Sequence, residues 1–187
     1  MTKINTKDFK KDLVSGLKYP WNKGSRLWYI LWVLVPIFGW FVLGGYFKKI
    51  VKTLVTKQRK ELPKLGSVFE NFIEGVVIFV FMIPTFIVFG IIGSIPFLGN
   101  LASVFLSVFL VPWITINFFI KGNFMALWEI KKAFNLVFDN IKEYLFAYIK
   151  TIMYGIIYGI LSLILIGIPC AVFGRLYYLT AFYKKHK

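Results

Sequence analysis

Charged side chains are absent from three long stretches of this chain. The stretches run from Leu27 to Phe47, from Gly75 to Ile120 and from Thr151 to Gly174, and they contain 21, 46 and 24 residues. An ionised side chain at the centre of a bilayer costs several kcal/mol, so a charge-free apolar run of ~18 residues or more is typical of a membrane segment. The runs are continuously apolar, whereas the strands of a membrane barrel would alternate, and this favours helices.

The middle run is too long for one membrane helix and long enough for two. Glycine, serine, proline and asparagine cluster at 93–100, near its centre, and predict a tight turn there. Ser67 and Glu70 have the spacing of a capping box, so a helix is predicted to begin at this point. The sequence thus predicts four apolar membrane segments, at 27–47, 72–92, 98–120 and 151–174.

Amphipathic segments flank these runs. Within 4–18, Phe9, Leu13 and Leu17 recur every four residues among lysines, which predicts a short interfacial helix. A second amphipathic helix is predicted at 124–148, and residues 175–187 form a basic tail. The fold class expected is all-α, a polytopic helical membrane protein with a single membrane domain.

Composition supports this class and excludes others. The chain is 58% hydrophobic, its mean hydropathy is +0.71, and its 23 Lys and Arg residues against 8 Asp and Glu give a net charge of +15. Counted with glycine and without tyrosine, roughly 61% is apolar, where soluble domains have about 45–50%. The 21 Phe and 6 Trp residues exclude a disordered chain.

Charge counting leaves the topology open. With four simple spans, alternate sides receive 11 and 12 Lys and Arg residues, so the positive-inside rule gives no preference. If the first run instead turns back at Val35–Gly39, 19 of the 23 lie on one side, and if the last run also returns at Gly167–Pro169, all 23 do. We expect the turn at Ser94–Gly99 to be extracytoplasmic.

Several short blocks, in order, carry a resemblance to a family. Gly45-Tyr46 precedes Lys48-Lys49, Leu62-Pro63 follows, and then comes Glu74-Gly75, with an amphipathic stretch from Ala126 to Tyr148. This order resembles the uncharacterised family called domain of unknown function 4013, small membrane proteins of archaea and bacteria. The family usually has Asp where this chain has Glu74. The resemblance implies a fold and a prokaryotic cell membrane, and it supplies no catalytic residues.

Enzymatic chemistry has few candidate residues in this sequence. His186 stands next to the last residue, where we expect a frayed terminus, and Cys170 is the only cysteine. Two pairs of carboxylates are spaced four residues apart, Glu70 with Glu74 and Asp139 with Glu143. The first pair is explained by the favourable position of acidic residues at a helix start, and the second by the solvated face of an amphipathic helix. We therefore expect no enzyme, no metal site and no cofactor.

The basic loop after the first run predicts an interaction with the membrane surface. Lysine and arginine near a bilayer attract anionic lipid headgroups at ~1 kcal/mol each. The candidate contacts are Lys48, Lys49, Lys52, Lys57, Arg59, Lys60 and Lys64. The function expected is that of a non-enzymatic protein of the cytoplasmic membrane, whose basic cytoplasmic face binds anionic lipid or a partner protein. Nucleic acid is not expected as a partner, because no water-facing domain presents the charge.

Two further hypotheses concern the apolar segments. Polar residues such as Asn117 keep open the alternative of a small oligomeric transporter or channel subunit. Gly155 and Gly159 have the small-x-x-x-small spacing of helix packing, either within the chain or between two copies in a homo-oligomer.

Overall fold

The computed structural model describes residues 6–56 and 61–187, and these are almost entirely helical, without a β-strand among them. Three 3-10 segments occur, at Tyr19–Leu34, Phe124–Leu127 and Ser162–Ile164. The α-helices are α1 (Thr6–Lys18), α2 (Phe38–Thr56), α3 (Val68–Gly93), α4 (Leu98–Phe109), α5 (Val111–Lys121), α6 (Ile130–Asp139), α7 (Ile141–Leu161), α8 (Gly167–Gly174) and α9 (Tyr177–His186).

The chain folds into three helical hairpins. The first joins the long 3-10 helix to α2, the second joins α3 to α4 and α5, and the third joins α7 to α8 and α9. Their tips are at Val35–Ile37, Ser94–Phe97 and Leu163–Ile166. We call the connections that follow the first two hairpins, residues 61–67 and residues 122–129, the base; the carboxyl terminus lies beside the start of α7, where His186 meets Glu143.

The first two tips share one turn geometry. Val35–Gly39 and Ile95–Gly99 each place a large apolar residue at positive φ, Ile37 at 63° and Phe97 at 59°. In both tips the proline carbonyl accepts a hydrogen bond of 2.7 Å from the amide two residues later. The closing glycine lies against a backbone carbonyl of the ascending helix, so a side chain there would collide with it. These constraints reverse the chain sharply.

Glycine also brings α2 and α3 into close contact. A Cβ atom on Gly75 would lie 2.6 Å from the carbonyl carbon of Phe41, and one on Gly45 would lie 2.7 Å from the carbonyl carbon of Asn71. Atoms at these distances overlap, so only glycine permits the observed packing. The helices are antiparallel, and Gly45 and Gly75 are two of the residues that carried the family resemblance.

Two of the predicted membrane segments reverse direction in the structure. The run at 27–47 breaks at Val35, which is extended with φ −94° and ψ 97°, because Pro36 disfavours a helical residue before it. The run at 151–174 breaks at Leu165, where φ is 62°. A continuous helix there would bring the ring of Pro169 against the carbonyl of Leu165.

The amphipathic helix predicted at 124–148 is likewise two helices. Asn140 separates α6 from α7 with φ −123° and ψ 33°, and its side-chain amide donates to the carbonyl of Leu136 at 3.2 Å. Asparagine competes in this way for the bonds that continue a helix. Other local expectations hold: Ser67 caps α3 by accepting from the amide of Glu70 at 3.2 Å, and α5 ends before Gly122, whose φ is 69°.

Among the described residues, two helices are long and apolar enough to cross a membrane, judged by length and composition. They are Val68–Gly93 and Ile141–Ile164, the latter including the 3-10 turn that continues α7. A third is obtained if Leu98–Phe109 and Val111–Lys121, which meet at a bend of 46°, count as one. The first apolar run, at 27–47, is not among them because of its break.

Buried tyrosines join the amino-terminal segment to the third hairpin. The hydroxyl of Tyr178 donates to the carbonyl of Leu13 at 2.7 Å, and that of Tyr158 donates to the carbonyl of Leu17. The indole of Trp21 donates to the Tyr158 hydroxyl at 2.7 Å. A buried tyrosine needs such a partner, and these bonds hold α1 along α7.

Candidate lipid-binding face and polar cleft

Lys48, the first of the predicted lipid contacts, faces the interior. Its ammonium forms a salt bridge with Glu74 on α3 and lies 6.0 Å from the centre of the Phe118 ring. Only 9% of the residue is exposed. A lysine in this position neutralises a carboxylate and joins α2 to α3, so it is not available to a headgroup. The prediction of a lipid contact at Lys48 therefore does not fit the structure.

The remaining predicted contacts divide into three groups. Lys49 donates to the carbonyl of Leu65 at 2.9 Å, which fastens α2 to the segment before α3. Lys52 and Lys64 are exposed at the base. Lys57, Arg59 and Lys60 lie outside the described residues. Of the predicted set, two described lysines thus present their charge to the surroundings.

Other exposed lysines come from elsewhere in the chain. Lys131 on α6 and Lys142 at the start of α7 are exposed, as are Lys184, Lys185 and Lys187 in the carboxyl-terminal helix and residue. The sequence assigned these residues to an amphipathic helix and to a tail. Of these, Lys131 follows the base directly in the chain, whereas Lys142 and the carboxyl-terminal lysines lie around Glu143, to which Lys185 is bonded.

A polar cleft of about 430 Å³ opens at the base between α5, α6 and α9. Buried Asn117 forms its floor. The amide nitrogen of Asn117 donates to the carbonyl of Ala126 at 3.0 Å, and its amide oxygen accepts from the hydroxyl of Tyr183 at 3.1 Å. Trp113 and Leu136 give the cleft an apolar wall. It therefore offers both apolar and polar surface to an amphipathic molecule.

An ion pair lies at the mouth of the cleft. The ammonium of Lys121 donates to both carboxylate oxygens of Glu129 at 2.6 Å, and Lys132 lies 3.4 Å from the same carboxylate. These contacts, first the hydrogen bond from Lys121, hold the pKa of Glu129 below its ordinary value. The carboxylate is thus ionised at neutral pH and does not serve as a proton donor there.

The carboxyl terminus is ordered, contrary to the frayed end expected from its position. α9 continues to His186, whose Nε2 atom lies 2.9 Å from a carboxylate oxygen of Glu143. The ring of His186 also packs on Phe182, with 4.7 Å between the ring centres. His186 therefore lines the cleft as a packed residue.

The paired carboxylates of the sequence are not paired in space. Glu74 is bonded to Lys48, while Glu70 is exposed in the first turn of α3. Asp139 and Glu143 belong to different helices because of the break at Asn140. In the part of the chain that the structure describes, no three His, Cys, Asp or Glu side chains are grouped as a metal site would require.

The glycines predicted for helix packing occupy open positions. A Cβ atom on Gly155 or Gly159 would meet nothing within 4 Å, so these residues do not pack against another helix of this chain. Packing between two copies is the part of that prediction that stays open. The close helix contact of this protein is formed by Gly45 and Gly75.

Sequence reasoning missed Tyr183 and the role of Glu129. Lys121 and Glu129 flank the turn at Gly122, so their proximity had a local signal in a short connection between helices. Tyr183 lies 66 positions from Asn117 and had none. Its place depends on how the third hairpin packs against α5.

Comparison with known proteins gives one finding. No curated protein and no solved structure matches this chain. A family model described as protein of unknown function, DUF4013, matches residues 28–170. That interval contains Gly45, Tyr46, Leu62, Pro63 and the Glu74-Gly75 pair, on which the resemblance to domain of unknown function 4013 rested. The chain belongs to this family.

Proposed function

We propose that this protein is a non-enzymatic protein of the prokaryotic cell membrane that binds anionic lipid headgroups with its base. The observation that carries the proposal is the separation of charge from apolar surface. The three tips are apolar, with Ile37, Phe97 and Leu165 exposed by 66%, 80% and 73%, and the exposed lysines lie outside them. Exposed apolar tips are unfavourable in water. A bilayer accommodates apolar tips in its hydrocarbon core and lysines at its headgroups.

The proposal includes a topology. It takes the single-sided arrangement of the charge counts, in which the first and last apolar runs turn back before they cross, and both runs do reverse direction in the structure. By the positive-inside rule the base is then cytoplasmic and the tip at Ser94–Phe97 is extracytoplasmic. The first and third hairpins enter from the cytoplasmic side and return to it.

The alternative, a small oligomeric transporter or channel subunit, depended on polar side chains such as Asn117. Both polar groups of the Asn117 side chain are bonded within the base. This gives the transport hypothesis less support than the lipid hypothesis. Flux of ions and common solutes in proteoliposomes remains its direct test.

Thiol accessibility in intact cells tests the topology. Cys170 is replaced by Ala, and a single cysteine is placed in turn at Lys18, Lys64, Gly93, Lys131 and Lys187. We expect a membrane-impermeant reagent to label only the cysteine at position 93 until the cells are opened. Labelling of position 64 from outside, without labelling of position 18, would show instead that the first run crosses the membrane.

Lipid selectivity tests the binding. The chain is reconstituted with spin-labelled phosphatidylglycerol or spin-labelled phosphatidylcholine, and the lipid fraction immobilised by the protein is compared. Replacing Lys52, Lys64, Lys131 and Lys142 by Gln removes up to ~1 kcal/mol of attraction per lysine, so the preference for phosphatidylglycerol should fall towards one. The matched control replaces the same four residues by Arg, which keeps the charge and should keep the preference. An unchanged preference in the Gln variant would refute lipid binding by this face.

A further inference from the structure

A groove of about 470 Å³ opens between α2, α7 and α8, and it shares no lining residue with the cleft around Asn117. Its apolar lining includes Phe47 of α2, Gly155 of α7 and Val172 of α8. Cavities of about 300–1,000 Å³ are the size in which proteins hold small ligands, and most are lined by apolar side chains. The groove is therefore large enough to hold part of a lipid molecule.

Arg175 supplies the charge of this groove. It directly follows α8, it is exposed, and its side chain has no ion-pair or hydrogen-bond partner in the part of the chain that the structure describes. The two hydroxyls of the lining are already bonded. That of Thr151 donates to the carbonyl of Ala147 at 2.9 Å, and that of Tyr154 donates to the carbonyl of Cys170. A ligand in the groove therefore meets apolar walls and one guanidinium without a counter-charge.

The groove lies where apolar and charged parts of the chain meet. Phe47 is the last residue of the first charge-free run, Thr151 is the first residue of the third run, and Arg175 directly follows the end of the third run. These residues are far apart along the chain, and folding brings them to one cavity. A phospholipid is divided in the same way, between apolar acyl chains and a polar headgroup.

Gly155 keeps the groove open. A glycine within a helix is destabilising relative to alanine, so its presence needs a reason. No close helix contact within the chain requires glycine here, because a Cβ atom on Gly155 would meet nothing within 4 Å. A larger side chain at this position would project into the groove. Space for a ligand therefore explains this glycine.

We propose that the groove binds one anionic phospholipid, with the phosphate against Arg175 and an acyl chain along Gly155. A guanidinium binds two phosphate oxygens through parallel hydrogen bonds, so Arg175 suits this headgroup. A second copy of the chain fits the groove less well. In a symmetric dimer both copies present the same surface, and the contact would bring together two guanidinium groups without a counter-charge. A phosphate neutralises the one that is present.

Native mass spectrometry of the chain in detergent tests this binding. Phosphatidylglycerol or phosphatidylcholine is added, and loosely attached lipid is removed by collisional activation before the bound lipid is counted. We expect each chain to retain one molecule of phosphatidylglycerol and to retain phosphatidylcholine less. Arg175→Gln removes the hydrogen bonds to the charged phosphate and should raise the apparent Kd for phosphatidylglycerol about tenfold. Arg175→Lys keeps the charge without the paired donors, and its Kd should lie between the two.

Two glycine variants locate the bound lipid. Gly155→Leu fills the groove and should abolish retention. The matched control is Gly159→Leu, on the same helix, where a Cβ atom also meets nothing within 4 Å but the residue does not line the groove. Equal retention in the two glycine variants, or an unchanged Kd in Arg175→Gln, would overturn the inference. So would a dimer of the unmodified chain that becomes monomeric in Gly155→Leu, because a second copy would then occupy the groove.

This inference rests on the proposed placement in a membrane, and it concerns a site separate from the lysines of the lipid-selectivity test. None of those four lysines, at positions 52, 64, 131 and 142, lines the groove. The variant in which all four are replaced by Gln should therefore keep the retained phosphatidylglycerol, and its loss there would overturn the inference. If the unmodified chain retains this molecule but immobilises spin-labelled phosphatidylglycerol and phosphatidylcholine equally, the groove is supported and lipid binding by the lysines alone is refuted.

Discussion

Replacing Gly75 by Ala should separate α2 from α3. The added Cβ would lie 2.6 Å from the carbonyl carbon of Phe41 and 2.8 Å from its Cα. Carbon atoms in ordinary contact are ~3.5–4.0 Å apart, so the helices must move apart by about 1 Å. The obstacle is backbone of α2, which no rotamer change can relieve.

The cost of this separation follows from the packing it removes. A gap of 0.5–1 Å forfeits roughly a quarter to a half of each van der Waals contact across it, and overpacked sites typically lose about 1–3 kcal/mol. α2 and α3 form the most extensive helix contact of the described chain, including the stacked rings of Phe38 and Phe72 at 4.7 Å. We therefore expect a loss near the upper end, about 2–3 kcal/mol, which for a chain of this length lowers Tm by about 4–12 °C.

Thermal unfolding in detergent measures this loss with a built-in reporter. Cys170 is fully buried and is the only cysteine, so a fluorogenic thiol reagent reports unfolding directly. The matched control is Gly90→Ala, in the same helix, where a Cβ meets nothing within 4 Å. This control should melt at or above the temperature of the unmodified chain, because alanine favours a helix by about 0.5–1 kcal/mol over glycine.

The reasoning fails if Gly75→Ala and Gly90→Ala melt at the same temperature. That result would mean that α2 and α3 do not pack through Gly75 in detergent. It would also remove the register of α2 against α3.

Three further predictions concern single side chains. Glu74→Gln leaves the ammonium of Lys48 buried without its counter-charge and should cost about 1–3 kcal/mol in thermal unfolding, below the ~3–5 kcal/mol of a fully buried pair because Glu74 is half exposed. Bonding to Lys121 lowers the pKa of Glu129, so the stability it contributes is present above the ordinary carboxyl pKa of 4.5 and is lost as pH falls through the lowered value. The Tm of Glu129→Gln should therefore fall less than that of the unmodified chain between pH 6 and pH 3. Tyr178→Phe removes the hydrogen bond to α1, worth ~1 kcal/mol, and should speed amide exchange in that helix about fivefold.

Each of these has a control within the chain. Lys48→Met combined with Glu74→Gln removes both charges and should recover stability lost in the single variant. Glu70→Gln changes an exposed carboxylate and should leave the pH profile almost unaltered. Tyr148→Phe should leave exchange of α1 unchanged, because the ring of Tyr148 packs on Tyr144, whereas α1 is bonded by the hydroxyls of Tyr158 and Tyr178. Equal effects in a variant and its control would contradict the corresponding interpretation.

Local signals in the sequence established the helical class, the long apolar runs and many chain reversals. Absence of charge marked the apolar runs, because the energy of a charge in hydrocarbon exceeds most other local preferences. The start of α3 at Ser67 and the end of α5 at Gly122 also have local signals in the sequence, because each satisfies backbone groups of a helix end within a few residues. Pro36 and Pro169 likewise mark turns, although the sequence left open whether the chain reverses at them.

Long-range packing determined what the charged and small residues do. Lys48 and Lys52 belong to one basic cluster in the sequence, yet one is buried against Glu74 and the other is exposed, because helix rotation places only one of them against α3. Gly45 and Gly155 look equally suited to helix packing, and only Gly45 meets a neighbouring helix. Such outcomes depend on which faces of two helices meet, and spacing within one helix carries no information about its partner. For this reason the salt bridge of Lys48 with Glu74 and the cleft around Asn117 emerged only from the folded chain.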